Sequence, residues 1–223
     1  VNTVTFSVTF VDFSSGAPFV DATVKACSKL DFACGTPLDS ATTDATGKVT
    51  VTVPAGLSGF DGYLDVSGGN GADAGTAVFP SLWYPVPFVV ADGSRGPTQL
   101  LAADEIAGIA AATNTNPDPT RGIVVVNAVD CNFTPAAGIT FSVNPTDQAT
   151  VSYYLVGGVP VTSAMATDQS GIAAFLNVPT NAAARLVVVG ATSAAAGGKS
   201  MGSLTFVVRP GTVTTSSSFP PIP

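Results

Sequence analysis

Apolar and hydroxyl side chains alternate with a period of two through much of this chain. Val4, Phe6, Val8 and Phe10 hold one set of positions, and Thr5, Ser7 and Thr9 hold the other. In an extended strand the two sets point to opposite faces, so the stretch predicts a strand with one buried face. Val49, Val51 and Val53 against Thr50 and Thr52 repeat the pattern, and Pro54 closes it because proline has no N–H for a ladder. Val20 to Cys27, Gly59 to Val66, Val151 to Val156, Ile172 to Val178, Leu186 to Val189 and Leu204 to Val208 read as further strands, and Gly122 to Val129 is strand-length. Ser67 to Gly75 reads as a glycine-rich loop. Prolines 80, 85 and 87 bar Val78 to Phe88 from a central strand and predict an edge or an extended path. The helical period is confined to Leu100–Thr113, with Asp104 and Glu105 early and Ile106, Ile109 and Ala110 on one side.

Two of these strands follow the same turn. Thr43-Asp44-Ala45-Thr46-Gly47 precedes Lys48 to Pro54, and Thr167-Asp168-Gln169-Ser170-Gly171 precedes Ile172 to Pro179. An aspartate folds its carboxylate onto backbone N–H groups two residues on, and a glycine supplies the positive φ that closes the turn. Earlier in each copy, Asp12 and Pro18 before Ala22-Thr23-Val24 match Asp130 and Pro135 before Ile139-Thr140-Phe141. The spacing is too long for a solenoid repeat and predicts tandem domains. The expected division is 1–97 for a first β-sandwich and 98–121 for a short helix and linker. A second sandwich takes 122–209, and 210–223 is an extended Ser/Thr/Pro tail.

Composition narrows the function. Charged residues make up 10% of the 223, against about 25% in an ordinary soluble domain. The formal charge of −7 disfavours nucleic acid and anionic membrane surfaces, both of which select lysine and arginine. No apolar run reaches the ~20 residues a spanning helix needs. Val1 opens directly into a strand, so the chain reads as already processed or trimmed.

Cys27 and Cys34 flank a short loop and are expected to form a disulfide, the alternative being three buried thiols. Cys131 is expected to be a small buried residue. The absence of histidine removes Ser-His-Asp and Cys-His mechanisms and the usual zinc sites.

A strand, Gly16-Ala17-Pro18, Ala22-Thr23-Val24, Thr43-Asp44 with Gly47, and Val53-Pro54-Ala55-Gly56 together resemble the carboxypeptidase regulatory-like, transthyretin-type β-sandwich. The second copy carries Thr167-Asp168 with Gly171 and Phe175-Leu176-Asn177-Val178-Pro179. It departs where Thr180-Asn181 replace Ala55-Gly56 and where a residue is inserted before Val178. Asp118 to Val126 with Asp130-Cys131 resembles the tandem form found in exported bacterial surface proteins. The resemblance implies an all-β chain of two tandem transthyretin-like or Ig-like seven-stranded sandwiches with one short helix near the joint, located outside the cytoplasm. It carries over no catalytic residue.

Other chemistry is sparse. Asp61, Asp65 and Asp73 are a candidate calcium set, because Gly68 to Asp73 matches part of a Gly-Gly-x-Gly-x-Asp motif. No other cofactor is expected. Phe79, Trp83, Tyr84 and Phe88 are a candidate platform for a sugar ring, or else they seal the end of a sandwich. Lys199-Ser200 and Asp104-Glu105 are neighbours in sequence without the spacing of a catalytic pair. Asn132-Phe133-Thr134 is an N-glycosylation sequon.

The expected function is a non-enzymatic, extracytoplasmic structural subunit or cell-surface assembly module, as in a fibre or surface layer. The alternative is a carbohydrate-binding accessory module that takes polysaccharide. The expected partners are further copies of the chain. Residues 1–11 form a clean, uncharged strand whose edge is chemically available, so 1–11 or 212–223 are expected to contact a neighbouring copy. The alternative is that both ends fold back on their own domains.

Overall fold

In the computed structural model, residues 2–71, 76–193 and 197–218 are described. The chain divides into two compact units, Val1–Ala107 and Gly108–Pro223. The expected all-β class is observed, and the two units share one strand plan.

Unit 1 contains β1 (Thr3–Asp12), β2 (Val20–Ser28), β3 (Asp39–Thr42), β4 (Lys48–Pro54), β5 (Gly62–Asn70), β6 (Val78–Trp83) and β7 (Gly93–Leu100). One sheet runs β4-β1-β7 and the other β6-β5-β2-β3. The alternation in the sequence is why they face each other. Val4, Phe6, Val8 and Phe10 of β1 and Val49, Val51 and Val53 of β4 pack with Ala22, Val24, Leu64 and Val66 of the second sheet in one core. Outside, Thr5 and Ser7 bond hydroxyl to hydroxyl with Thr52 at 2.9 Å and with Thr50 at 2.8 Å.

Unit 2 repeats the plan with β8 (Gly122–Ala128), β9 (Ile139–Asn144), β10 (Val151–Val156), β11 (Val159–Val161), β12 (Ile172–Val178), β13 (Arg185–Ser193), β14 (Lys199–Val208) and β15 (Val213–Ser218). β12-β8-β15 matches β4-β1-β7, and β14-β13-β9 matches β6-β5-β2. In both units the last strand lies parallel to the first: β7 along β1 and β15 along β8. The units differ in their third strand. β3 pairs with β2, whereas β10 pairs with β12 and carries β11 as a hairpin.

Several expectations are corrected. β1 is a central strand with β4 on one side and β7 on the other, so its edge is not available to a neighbour. Val213–Ser218 is a strand on β8 rather than a tail, and the rest of the expected contact segment, 219–223, lies outside the described residues. Each end that is described therefore folds back on its own unit. Residues 98–100 belong to β7, so the helix α1 begins later than its pattern suggests and spans Glu105–Thr113. Its end matches: Asn114 takes φ 50°, the left-handed conformation of a helix C-cap. β5 continues through Gly68–Asn70, part of the expected loop, by way of a bulge after Val66. β6 includes Pro80.

The inserted residue before Val178 makes a bulge in β12, and Asn177 sits there at φ 55°. Its carboxamide accepts from Asp118 N at 2.8 Å and donates to Asn116 O at 3.1 Å, and its carbonyl accepts from Arg121 at 3.0 Å. Arg121 also forms a two-pronged pair with Asp147 at 2.9 and 2.8 Å. The end of the expected helix-and-linker segment 98–121 is thereby pinned to β12 of unit 2.

Candidate functional site

The turn that marks each repeat is the most elaborated local structure, and its acidic residue is a holder of backbone. Asp44 Oδ1 accepts from Thr46 N at 2.8 Å, Thr46 Oγ1 at 2.7 Å and Lys48 N at 3.1 Å. Asp168 accepts from Ser170 N and Gly157 N, both at 2.7 Å. Gly47 and Gly171 take φ 75° and 70°, as the turn requires.

The threonine before each aspartate has a role the sequence reading missed. Thr43 Oγ1 donates to Phe19 O at 2.7 Å and accepts from Ala22 N at 2.8 Å. Thr167 Oγ1 donates to Ala136 O at 2.7 Å and accepts from Ile139 N at 3.1 Å. Both threonines are buried. Each hydroxyl latches the chain as it enters the second strand of its unit, and the two latches match atom for atom. The signal was present as the Thr-Asp pair in both copies, but a hydroxyl's partners this far along the chain cannot be read from spacing.

These hydrogen bonds hold the carboxylates charged. Thr46 lowers the pKa of Asp44, Ser170 and Gly157 lower that of Asp168, Thr120 lowers that of Asp118, and Arg121 lowers that of Asp147. At Asp12 burial pushes upward, but bonds from Ser15 and Ser14 outweigh it. A carboxylate with a lowered folded-state pKa stabilises the fold above its unfolded value, here near 3.8, and that stability is lost as pH falls through the lower folded value. Burial raises the pKa of Glu105, so its contribution runs the other way, favouring the fold at low pH and fading as pH rises. The lowered groups outnumber it, so melting temperature is expected to hold near neutrality and to fall below about pH 4. Thermal melts from pH 7 to 2 check this. Asp44→Asn should flatten the acid limb, and an unchanged limb would remove Asp44 from the account.

Cys27 and Cys34 are bonded, with Cα atoms 5.4 Å apart. Their loop is held independently: Tyr63 donates to Asp31 O at 2.6 Å, and the Asp31 carboxylate accepts from Gly35 N at 3.0 Å and Thr36 N at 2.8 Å. The Asp65 carboxylate lies within 4.8 Å of both sulfurs, but sulfurs bonded to each other are not thiolate ligands. Cys131 is exposed, not buried as expected, because it lies in the turn after β8 rather than in a strand. Iodoacetamide is expected to label Cys131 in the native protein and the other two only after reduction. The 7-residue separation implies a loss of roughly 2–3 kcal/mol when Cys27→Ser and Cys34→Ser are combined. Labelling of Cys27 without reductant would contradict this.

The other candidates have surroundings of their own. Asp61 pairs with Lys29 at 3.6 Å, Asp65 stands opposite Lys25 across β5 and β2, and Asp73 lies outside the described residues. Tyr84 is buried with its ring stacked on Tyr63 at 5.3 Å, and Trp83 meets Phe10 edge-on at 6.0 Å. Phe79 is half-buried and Phe88 is exposed, so the four rings do not form one exposed platform. Lys199 and Ser200 are both exposed on β14, where nothing desolvates the amine. Glu105 accepts from Ala102 N at 2.6 Å and so belongs to the start of α1, while Asp104 is exposed.

No family model and no curated protein matches the chain. Solved structures with some likeness include the Bacillus anthracis TIE protein, at 14% identity and TM-score 0.27, covering 97% of this chain and 34% of that one. The shaft pilin SpaA of Lactobacillus rhamnosus GG is 12% identical with TM-score 0.29, covering 100% and 99% of the two chains. The minor pilin GBS52 of Streptococcus agalactiae is 13% identical with TM-score 0.29, covering 99% and 98%. Scores this low carry no argument about what the chain does. Among the described residues, no helix is long and apolar enough to cross a membrane.

Proposed function

We propose that the chain is a non-enzymatic, extracytoplasmic structural module of a cell-surface assembly, built from two tandem transthyretin-type sandwiches. The observation that carries this reading is the use of its acidic side chains. Asp12, Asp31, Asp39, Asp44, Asp92, Glu105, Asp118, Asp130, Asp147 and Asp168 each accept a backbone N–H. Those ten of the chain's 15 acidic residues hold turns and strand ends, a use suited to a scaffold rather than to proton transfer.

Two features support the location and the assembly. A disulfide between Cys27 and Cys34 persists in an oxidising compartment. The outer face of β1 and β4 is clad in hydroxyls, Thr5 and Ser7 against Thr52 and Thr50, a surface of low charge density on which copies can meet. The chain ends that are described are paired inside their own units, so copies would meet through these faces. Intact cells that make the protein should bind antibody raised against it and should lose it to added protease. Labelling that appears only after lysis would sink the proposal.

A further inference from the structure

The sequence holds two Asn-x-Thr stretches. Asn144-Pro145-Thr146 is barred as a glycosylation acceptor by its proline, which leaves Asn132-Phe133-Thr134. The structure places this sequon in the turn between β8 and β9, where Cys131, Asn132, Phe133, Thr134 and Pro135 are all exposed.

The turn is held by the residue before the sequon. Asp130 Oδ1 accepts from Asn132 N at 2.8 Å and from Thr134 N at 2.9 Å. The Asp130 backbone receives Phe133 N at 3.0 Å and donates to Thr134 O at 2.9 Å. These bonds use the backbone of the sequon and leave the Asn132 carboxamide on the surface.

The corresponding turn of unit 1 has the same backbone frame, with Asp12 Oδ1 accepting from Ser15 N at 2.7 Å, but there the side chains of the turn also bond the carboxylate, Ser14 Oγ at 2.8 Å and Ser15 Oγ at 2.6 Å. The first copy thus folds this turn with two short hydroxyl residues and no sequon. The second copy places an exposed carboxamide and an exposed threonine where the fold does not call for them.

We propose that Asn132 is an N-glycan acceptor, modified by a transferase that takes its sugar from a lipid-linked sugar diphosphate. The amide nitrogen bonds to the anomeric carbon, the bond from that carbon to the diphosphate oxygen breaks, the lipid diphosphate leaves, and the amide gives up one proton. The inference rests on the extracytoplasmic reading, because such donors and transferases act on exported chains. A hydrophilic glycan here would cover the β8–β9 turn.

The test is a tryptic map of the protein isolated from the cells that make it, run without reduction. The fragment after Arg121 is expected to carry a sugar that peptide N-glycosidase removes, converting Asn132 to an isotopically labelled aspartate in heavy-oxygen water. Asn132→Gln and Thr134→Ala made in the same cells should lose the glycan, and Thr134→Ser should keep it. A bare Asn132 in protein whose Cys27–Cys34 bond is intact overturns the glycan proposal while leaving the location standing. A bare Asn132 together with reduced Cys27 and Cys34 overturns both. Sugar that survives Asn132→Gln overturns the assignment to this residue.

Discussion

Thr43→Val is expected to lower the stability of unit 1 by roughly 2–4 kcal/mol, although it barely changes the shape of the side chain. The hydroxyl serves two buried backbone groups at once, Phe19 O and Ala22 N. Valine leaves both without a partner, and each orphaned group costs about 1–3 kcal/mol, partly relieved by relaxation. Thr43→Ser keeps the oxygen and should cost less. Trp83 is the chain's single tryptophan and packs against the unit 1 core, so its fluorescence in urea reads the loss directly. Thr167→Val removes the matching latch in unit 2 and is read by calorimetry. If both valine variants stay within about 0.5 kcal/mol of the parent, the latch is not a stabilising element.

Gly47→Val should cost about 2–5 kcal/mol, from two sources that a control separates. The residue sits at φ 75°, which a β-branched side chain resists. A Cβ there would also run into the Phe10 carbonyl and lie 3.0 Å from Pro18 Cβ. That carbonyl already receives Phe19 N at 3.0 Å, so it cannot withdraw without loosening the start of β2. Gly16 has φ 70° but open space around its Cβ position, so Gly16→Ala carries strain alone, about 1–2 kcal/mol. Gly47→Ala should therefore destabilise more than Gly16→Ala. Equal midpoints for the two alanine variants would show that the close approach to Phe10 is not felt.

Much of the fold was legible because its strongest strands bury one face. The alternation of β1 and β4, the Thr-Asp-x-x-Gly turns and the paired Asp and Pro positions of the two copies all come from local chemistry. β7 and β15 were not legible for the opposite reason. Gly93–Leu100 contains two glycines, a proline and an arginine, and it becomes a strand because β1 offers it a parallel partner. Val213–Ser218 is hydroxyl-rich like a tail, yet it is mostly buried, and Thr214 Oγ1 donates to Val207 O at 2.9 Å. Burial imposed by a partner distant in sequence leaves no periodic trace. The same holds for the third strand, which joins β2 in one unit and β12 in the other although both turns after it read alike.

The candidate site was legible mainly in its chemistry. The cysteine loop could be seen as a short span between two thiols, but the exposure of Cys131 depends on which residues follow the end of β8. The aromatic segment looked like one platform because four rings fall close together in sequence. In the structure Tyr84 and Trp83 turn to Tyr63 and Phe10 instead.

The measurement that bears most directly on the assembly claim is the mass of the intact, disulfide-bonded protein in solution across a wide concentration range. One chain weighs 22.2 kDa. A structural module whose hydroxyl-clad faces meet in copies predicts particles many times that mass, growing with concentration and favoured by salt, which screens the net charge of −7 on each chain. A single species of one chain's mass at every concentration, in protein taken from the cell surface, would contradict the account.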